Sequence, residues 1–574
     1  MKNIKNLKFV YLLTALLFCT VNSCDEDLDI EVTGAFAEDL VLSTPEQVEL
    51  LLFSTYNSTE NWGLDNSIWW TRRFNIETAS FEAKFNFQNR DLMRVRAGWT
   101  AGNPGFFRNQ WSKYYTYIRQ ANLFFEQVEG SPAMEQDPEA INELMAEMRF
   151  LRANLYSKLI KYFGGVPLIT TAHTLDDDFN IPRNTYEECV DFIVSELDAA
   201  AAVLPDTRSG DEFGRATKYS ALAVKARTLL YAASDLHDAT LAPQATNREL
   251  YTYSKTSKWQ DASDAAKEII DMVGGRDLTA TPDARAYQDL FLSINDDILF
   301  ARPFGATILA FGTDANSLWD KTQSPNGDDG WGLSSPTHNY VLQYNMADGT
   351  TTSGGTYDAA NPNDGREMRY YANINFQGAE FRGNPINYAL SLNPDVYPHG
   401  DDSPEGLGNV RHSSFTGYNI RKFQNEGLSN LQDPTPGRPL ILYRLAEVYL
   451  NYAEAQAELG NDAEARTYLN KVATRALLPA ITASGDELKE AIKRERRVEL
   501  AFEGHSFFDE RRWMVEDHLG MDIRGLRWTT QADGSQTHEE YTVVTRPWFP
   551  RMYYLPIPQS EIDRTAALIQ NDGY

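Results

Sequence analysis

Apolar residues recur at helical spacing over two long regions of this chain, roughly 110–275 and 438–515, and lose that spacing between them. From 139 to 163, Ile141, Leu144, Met145, Met148, Leu151, Leu155 and Leu159 return at steps of three and four, which places them on one helix face. Gly164-Gly165 ends the run, and Val166-Pro167-Leu168-Ile169 reads as a short extended piece. Thr185 and Glu188 stand at capping-box spacing before Val190, Ile193, Leu197, Ala201 and Leu204, and the pattern stops at Pro205. Near the C-terminus Leu445, Val448, Tyr449, Tyr452 and Leu459 share a face, Gly460 closes it, and Asn461 with Glu464 is expected to recap the chain at once. Ala465, Tyr468, Leu469 and Val472 then continue the apolar face. Two helices joined by so short a turn are antiparallel neighbours. Ala446, Ala453, Ala455 and Ala457 allow close approach, as in a tetratricopeptide-type hairpin, although no clean 34-residue period runs through the chain.

Between about 276 and 437 the texture changes to turn-forming clusters such as SPNGDDG (324–330), NPNDG (361–365) and DPTPG (433–437). A structureless run of that length is unusual in a compact domain. It predicts an irregular lobe of loops and short strands, and loops are where binding residues concentrate. The expected fold class is therefore mostly α, a scaffold of helical hairpins carrying that lobe.

The first 23 residues read as a leader. Lys2, Lys5 and Lys8 precede the apolar stretch Phe9 to Cys19, and the small Ser23 precedes Cys24. This resembles a bacterial lipobox, which makes Cys24 the expected lipid-attachment residue and 24–574 the mature domain. Multiple acyl chains suffice for stable anchoring, at roughly 0.8 kcal/mol per buried CH₂. After processing only Cys189 remains as a free thiol, set among apolar helix positions, so no intramolecular disulfide forms and an inert buried role is expected. Hydrophobic residues make up 42% of the 574, enough for a large core. The formal net charge of −28 argues against nucleic acid and polyanionic ligands.

Enzymatic signatures are missing: there is no HExxH, no Walker A loop and no GxSxG. His505-Ser506 lies on an expected helix continuation, where adjacent side chains diverge by about 100°. The eight histidines lack ligand spacing, and the NGDDG and NPNDG clusters fit turns better than a calcium loop. Neither a cofactor nor a metal is expected. In RERRVELAFEGHSFFDERRW (494–513) charges alternate with apolar residues, which predicts buried Arg–Glu pairing. Aromatics outside the helices are the binding candidates. Flat rings match the apolar C–H faces of sugars while amides, carboxylates and guanidinium groups take the hydroxyls. Trp62, Trp69, Trp70 and Trp99 lie in a polar stretch with Asp65, Arg72 and Arg73, and Trp319 and Trp331 lie in the irregular lobe. Trp111, Trp259 and Trp513 fall in helical motifs and are expected to be structural.

Taken in order, several segments resemble the SusD/RagB family along nearly the whole mature chain. They are LDIEVTGAFAEDL (28–40), Met148-Arg149-Phe150-Leu151-Arg152-Ala153 with Tyr162-Phe163-Gly164-Gly165, Gly214-Arg215-Ala216-Thr217, Tyr443-Arg444-Leu445-Ala446-Glu447, Arg496-Arg497-Val498-Glu499-Leu500, Leu555-Pro556-Ile557-Pro558 and the terminal Gln570-Asn571-Asp572-Gly573-Tyr574. Ser506, Glu510 and Glu367-Met368 depart from the usual pattern. The resemblance implies a non-catalytic, surface-exposed lipoprotein of the outer membrane that holds oligosaccharide for a SusC-like TonB-dependent transporter. It implies a ligand surface shared by the N-terminal stretch and the irregular lobe, with Asp65, Trp69, Trp70, Arg73, Trp99, Trp319 and Trp331 as its candidate residues. Asp25-Glu26-Asp27 resembles the acidic tags of surface lipoproteins. Alternatives on the same architecture are a RagB-like peptide binder, a glycoside hydrolase with two carboxylates about 5–10 Å apart, and a pure protein scaffold.

Overall fold

A computed structural model describes residues 42–58, 76–86, 98–107, 109–244, 246–303, 316–407, 412–433, 435 and 437–574. Helices dominate. The first, α1 (Pro45–Tyr56), packs on α3 (Pro138–Phe163), as does α2 (Gln110–Val128). From α3 the array runs through α4 (Tyr186–Ala201), α5 (Lys218–Ala233) and α6 (Lys258–Met272), each against the one before it. It continues from α6 onto α8 (Leu445–Glu458), then α9 (Asp462–Arg475) and α10 (Gly485–Glu499). One continuous apolar core fills these contacts, with Ile141, Leu151, Leu155, Val190, Ile193, Leu197, Leu445 and Leu469 all buried.

Local chemistry sets the helix ends. Asp137 accepts from Ala140 N–H at 3.0 Å in front of α3, and Pro138 occupies its first turn. Gly164 stops α3 at φ +76°, where a Cβ would lie 2.7 Å from the Leu250 carbonyl. Thr185 and Glu188 close the expected capping box at the start of α4, at 3.1 and 2.9 Å. The α8–α9 hairpin forms, but Asn461 does not cap α9 with its side chain. Its Nδ2 donates to Gln456 Oε1 at 2.8 Å, and Glu464 accepts from Tyr452 Oη at 3.1 Å.

The 494–513 segment is not one helix. After α10 a turn at Gly504 (φ +81°) reverses the chain into α11 (Ser506–Arg512). That reversal lets residues 13 apart meet: Arg496 pairs with Asp509 at 2.8 Å and Arg497 with Glu510 at 2.7 Å, all buried. Glu510, unusual in being charged, thus has its partner inside the core.

The irregular lobe is built from short strand pairs, mostly antiparallel. Strand β2 (Ile298–Arg302) pairs with β7 (Leu440–Arg444), which runs directly into α8 and closes the base of the lobe on the scaffold. Further out, β4 (Ile374–Phe376) pairs with β6 (Tyr418–Ile420), and β5 (Leu390–Ser391) extends a hairpin of β8 (Ile523–Thr530) and β9 (Gln536–Val544). A buried ionic network joins the two parts. From the lobe come Arg369, Glu367 and Lys422; from the scaffold Arg444, Arg475, Glu495, Glu499 and Glu503. Arg369 meets Glu495 at 2.5 Å, Arg444 meets Glu499 at 2.6 Å, and Lys422 meets Glu503 at 2.6 Å. Glu367, another departure from the usual pattern, also accepts from Asn345 N–H at 2.7 Å.

Candidate functional site

The N-terminal stretch and the irregular lobe meet in one two-stranded seam. Strand β1 (Ala83–Phe85) pairs antiparallel with β3 (Ser334–Pro336), in the register Ala83–Pro336 and Phe85–Ser334. Asn86 locks the end of the seam: its N–H donates to the Leu333 carbonyl at 2.7 Å, and its Nδ2 reaches the Gly332 carbonyl at 2.6 Å and Ser335 Oγ at 2.5 Å. Ahead of β3 the chain turns tightly through Asn326–Gly330. A Cβ on Gly330 would fall 2.0 Å from the Ser324 carbonyl, so only glycine permits that turn.

Trp331 emerges from this turn half-buried. Its ring stacks on His412, with centroids 5.7 Å apart and planes at 19°. Phe415, also half-buried, lies under Lys84 Nζ at 4.6 Å from its ring centre. The next carboxylate along the turn, Asp329, is held by Lys321 Nζ at 2.8 Å. Half-buried rings therefore gather at the seam over a buried amide and ammonium that fix its geometry, and an aromatic face of that kind suits a ligand with apolar faces.

The other expected residues fare differently. Trp99 and Trp319 are core residues, which corrects their assignment to a ligand surface. Trp99, 1% exposed, packs edge-on to Phe107 at 5.4 Å and donates from Nε1 to Tyr574 Oη at 2.6 Å. Trp319, on α7 (Asn316–Gln323), is 4% exposed and stands edge-on to Phe423 at 5.6 Å. A ring covered on both faces has none to offer a sugar. Asp65, Trp69, Trp70 and Arg73, with Trp62 and Arg72, lie outside the described residues, as does Cys24. Trp111 and Trp513 are buried as expected. His412 and Phe415, the rings gathered around Trp331 and Lys84, were not legible as candidates, because single residues in aperiodic segments carry no local signal of the strand pairing that assembles them.

A concavity of about 540 Å³ lies away from the seam, between the 206–219 segment and β2, and none of the expected residues lines it. Its guanidinium groups are already committed. Arg208 and Arg215 share Glu147 at 3.0 and 2.5 Å, and Arg276 meets Asp297 at 3.3 Å. Among the described residues no cluster of three or more His, Cys, Asp or Glu side chains could hold a metal. No described helix is long and apolar enough to cross a membrane.

Comparison with known proteins places this architecture. The profile of the SusD family matches residues 308–574, and a profile described as starch-binding, associating with outer membrane, matches residues 48–230. The starch-binding protein SusD of Bacteroides thetaiotaomicron is 24% identical, over 100% of this chain and 99% of its own. A SusD-like protein of Formosa agariphila is 23% identical over 92% and 94%. The crystal structure of a SusD-like protein from Bacteroides fragilis superposes with a TM-score of 0.76 at 27% identity, covering 93% of this chain and 98% of the other.

Proposed function

The chain belongs to the SusD/RagB family, and on that premise we propose that it is a surface lipoprotein of the outer membrane that captures oligosaccharides and passes them to a SusC-like TonB-dependent transporter. The observation that carries the ligand class is the half-buried Trp331–His412 ring pair at the β1–β3 seam. Rings held at that angle present a firm apolar face, and the buried Asn86 and Lys84 behind it hold the seam in place. The work is capture and hand-off, with no bond made or broken. Asp329, the carboxylate nearest along the chain, is neutralised by Lys321 instead of facing a second acid across a cleft. Attachment through an acylated Cys24, 18 residues before the first described residue, keeps the protein at the membrane while leaving the scaffold free to dock.

The test is a polysaccharide affinity-gel and glycan-array screen of the mature, unlipidated protein, with a peptide pool alongside. One glycan class is expected to bind, and Trp331→Ala is expected to weaken that binding at least tenfold, about 1.4 kcal/mol. Retention of peptide and no glycan would overturn the ligand class. Unchanged glycan affinity in Trp331→Ala would move the site elsewhere. For the anchor, Cys24→Ser is expected to abolish incorporation of labelled palmitate in cells.

A further inference from the structure

The end of the chain closes a pocket of about 180 Å³ against the connection between α5 and α6. Pro243, Gln244 and Tyr251 of that connection line it together with Pro550, Arg551 and Tyr554. It shares no lining residue with the larger concavity beside β2, and none with the Trp331 seam. One water takes ~30 Å³ of liquid, so the space suits a group the size of a single pyranose ring.

Most polar groups in these walls are already committed. Tyr251 Oη donates to Asn571 Oδ1 at 2.9 Å, and Asn571 Nδ2 donates to the Leu555 carbonyl at 2.6 Å. Asp572 accepts from Thr246 N–H at 2.9 Å and from the Thr246 hydroxyl. Two groups are not committed. Gln244 is 6% exposed; its Oε1 has no hydrogen-bond partner, and its Nε2 makes no bond among the described residues. Arg551 is half-buried, and its guanidinium makes no hydrogen bond or ion pair among the described residues. That group lies 4.4 Å from the Phe549 ring centre and 5.7 Å from that of Tyr574. Gly573 packs on its stem, where a Cβ would fall 2.8 Å from Arg551 Cβ.

A buried amide oxygen without a donor is unfavourable, and a planar guanidinium without an acid is shaped for a bidentate carboxylate. A sugar hydroxyl both donates and accepts, so it serves either end of the Gln244 amide, whereas a peptide N–H serves Oε1 alone. The C–H face of a pyranose fits walls of proline and tyrosine. One carboxylate on one guanidinium is not the polyanion that a net charge of −28 repels. We propose that this pocket binds a single uronate residue, with its carboxylate on Arg551 and a ring hydroxyl on Gln244. The choice of a sugar rests on the glycan reading of the protein; the pocket itself is separate from the Trp331 platform.

Sodium D-glucuronate and D-galacturonate are titrated into the mature, unlipidated protein by ligand-detected NMR. D-glucose and N-acetyl-L-alanine, a mimic of a peptide carboxy-terminus, are run beside them. At least one uronate is expected to bind about tenfold more tightly than glucose, and to weaken as salt rises. Equal binding of glucose would overturn the carboxylate, and equal or tighter binding of N-acetyl-L-alanine would overturn the sugar. Arg551→Met should remove the preference for the acid, and Gln244→Met should weaken the uronate several-fold, with thermal midpoints checking that both variants fold. Uronate affinity unchanged in Arg551→Met would overturn the site. A crystal soaked in the bound uronate should show it between Gln244 and Arg551, and density only elsewhere would also overturn the site; should Gln244→Met not fold, Arg551→Met and this map decide. Retention of a neutral polysaccharide with no uronate binding would sink the pocket and leave the Trp331 reading standing. Retention of no glycan of any kind would sink both.

Discussion

Asp402 shows how far one buried group can set a local property. Its carboxylate, 3% exposed, accepts N–H groups from Gly327 at 2.8 Å and Asn387 at 3.0 Å, clamping the turn that leads into Trp331. Burial raises it to about 6, and the nearby Asp401 and Asp328 push the same way. The folded state thus holds this proton more tightly than the unfolded chain does. Its contribution to stability is full below about pH 4 and is lost as pH rises through about 6, on the order of 3 kcal/mol in all. Between pH 7.5 and 5 the wild type should gain stability relative to Asp402→Asn in chemical denaturation. Parallel pH profiles for the two proteins would show that Asp402 titrates normally. The tryptophans make the complementary point. Trp99, Trp319 and Trp331 all sit in polar, aperiodic sequence, and nothing within a few residues separates them. Trp99 is covered by Phe507 and Tyr574, and Trp319 by Phe423, partners about 100 to 475 residues distant.

At the scale of elements, helices announce themselves because their determinants are local. The capping box at Thr185 is present as spaced, and Glu188 is held below the usual carboxylate range, chiefly by the Thr185 N–H it accepts. Thr185→Ala should cost about 1 kcal/mol in urea denaturation. A loss under a few tenths would mean that packing alone holds the start of α4. Asn461→Ala should cost much less, because that side chain caps nothing. Gly164→Ala is expected to be worse than either. It places a side chain at φ +76° and 2.7 Å from a carbonyl, which should destabilise by more than the ~1 kcal/mol typical of conformational strain alone. The break at Gly504 was less legible, since the charge and apolar pattern runs on through it. Only the pairing of Arg496 with Asp509 and Arg497 with Glu510 reveals that the chain reverses there.

At the scale of the molecule, the ionic network between lobe and scaffold is what makes the two parts one body. Glu499 accepts from Arg369, Arg444 and Arg475, and these cations hold it far below the usual carboxylate range against the opposing effect of burial. Removing one partner leaves buried charge uncompensated, so Glu499→Gln should destabilise by about 3–5 kcal/mol, read as a lower denaturation midpoint. Loss of less than 1 kcal/mol would show that the remaining carboxylates absorb the change. What the sequence determined alone is the mostly helical scaffold, the capped and glycine-stopped helix ends, the α8–α9 hairpin and the family likeness. Each of these rests on residues within one or two helical turns of each other, or on motifs in linear order. What only the tertiary structure decided is which aromatics face outward, how charges 13 to 130 residues apart find partners, and how β1 and β3 bring Asn86 to Trp331. Those outcomes depend on long-range packing, which periodicity and spacing do not encode.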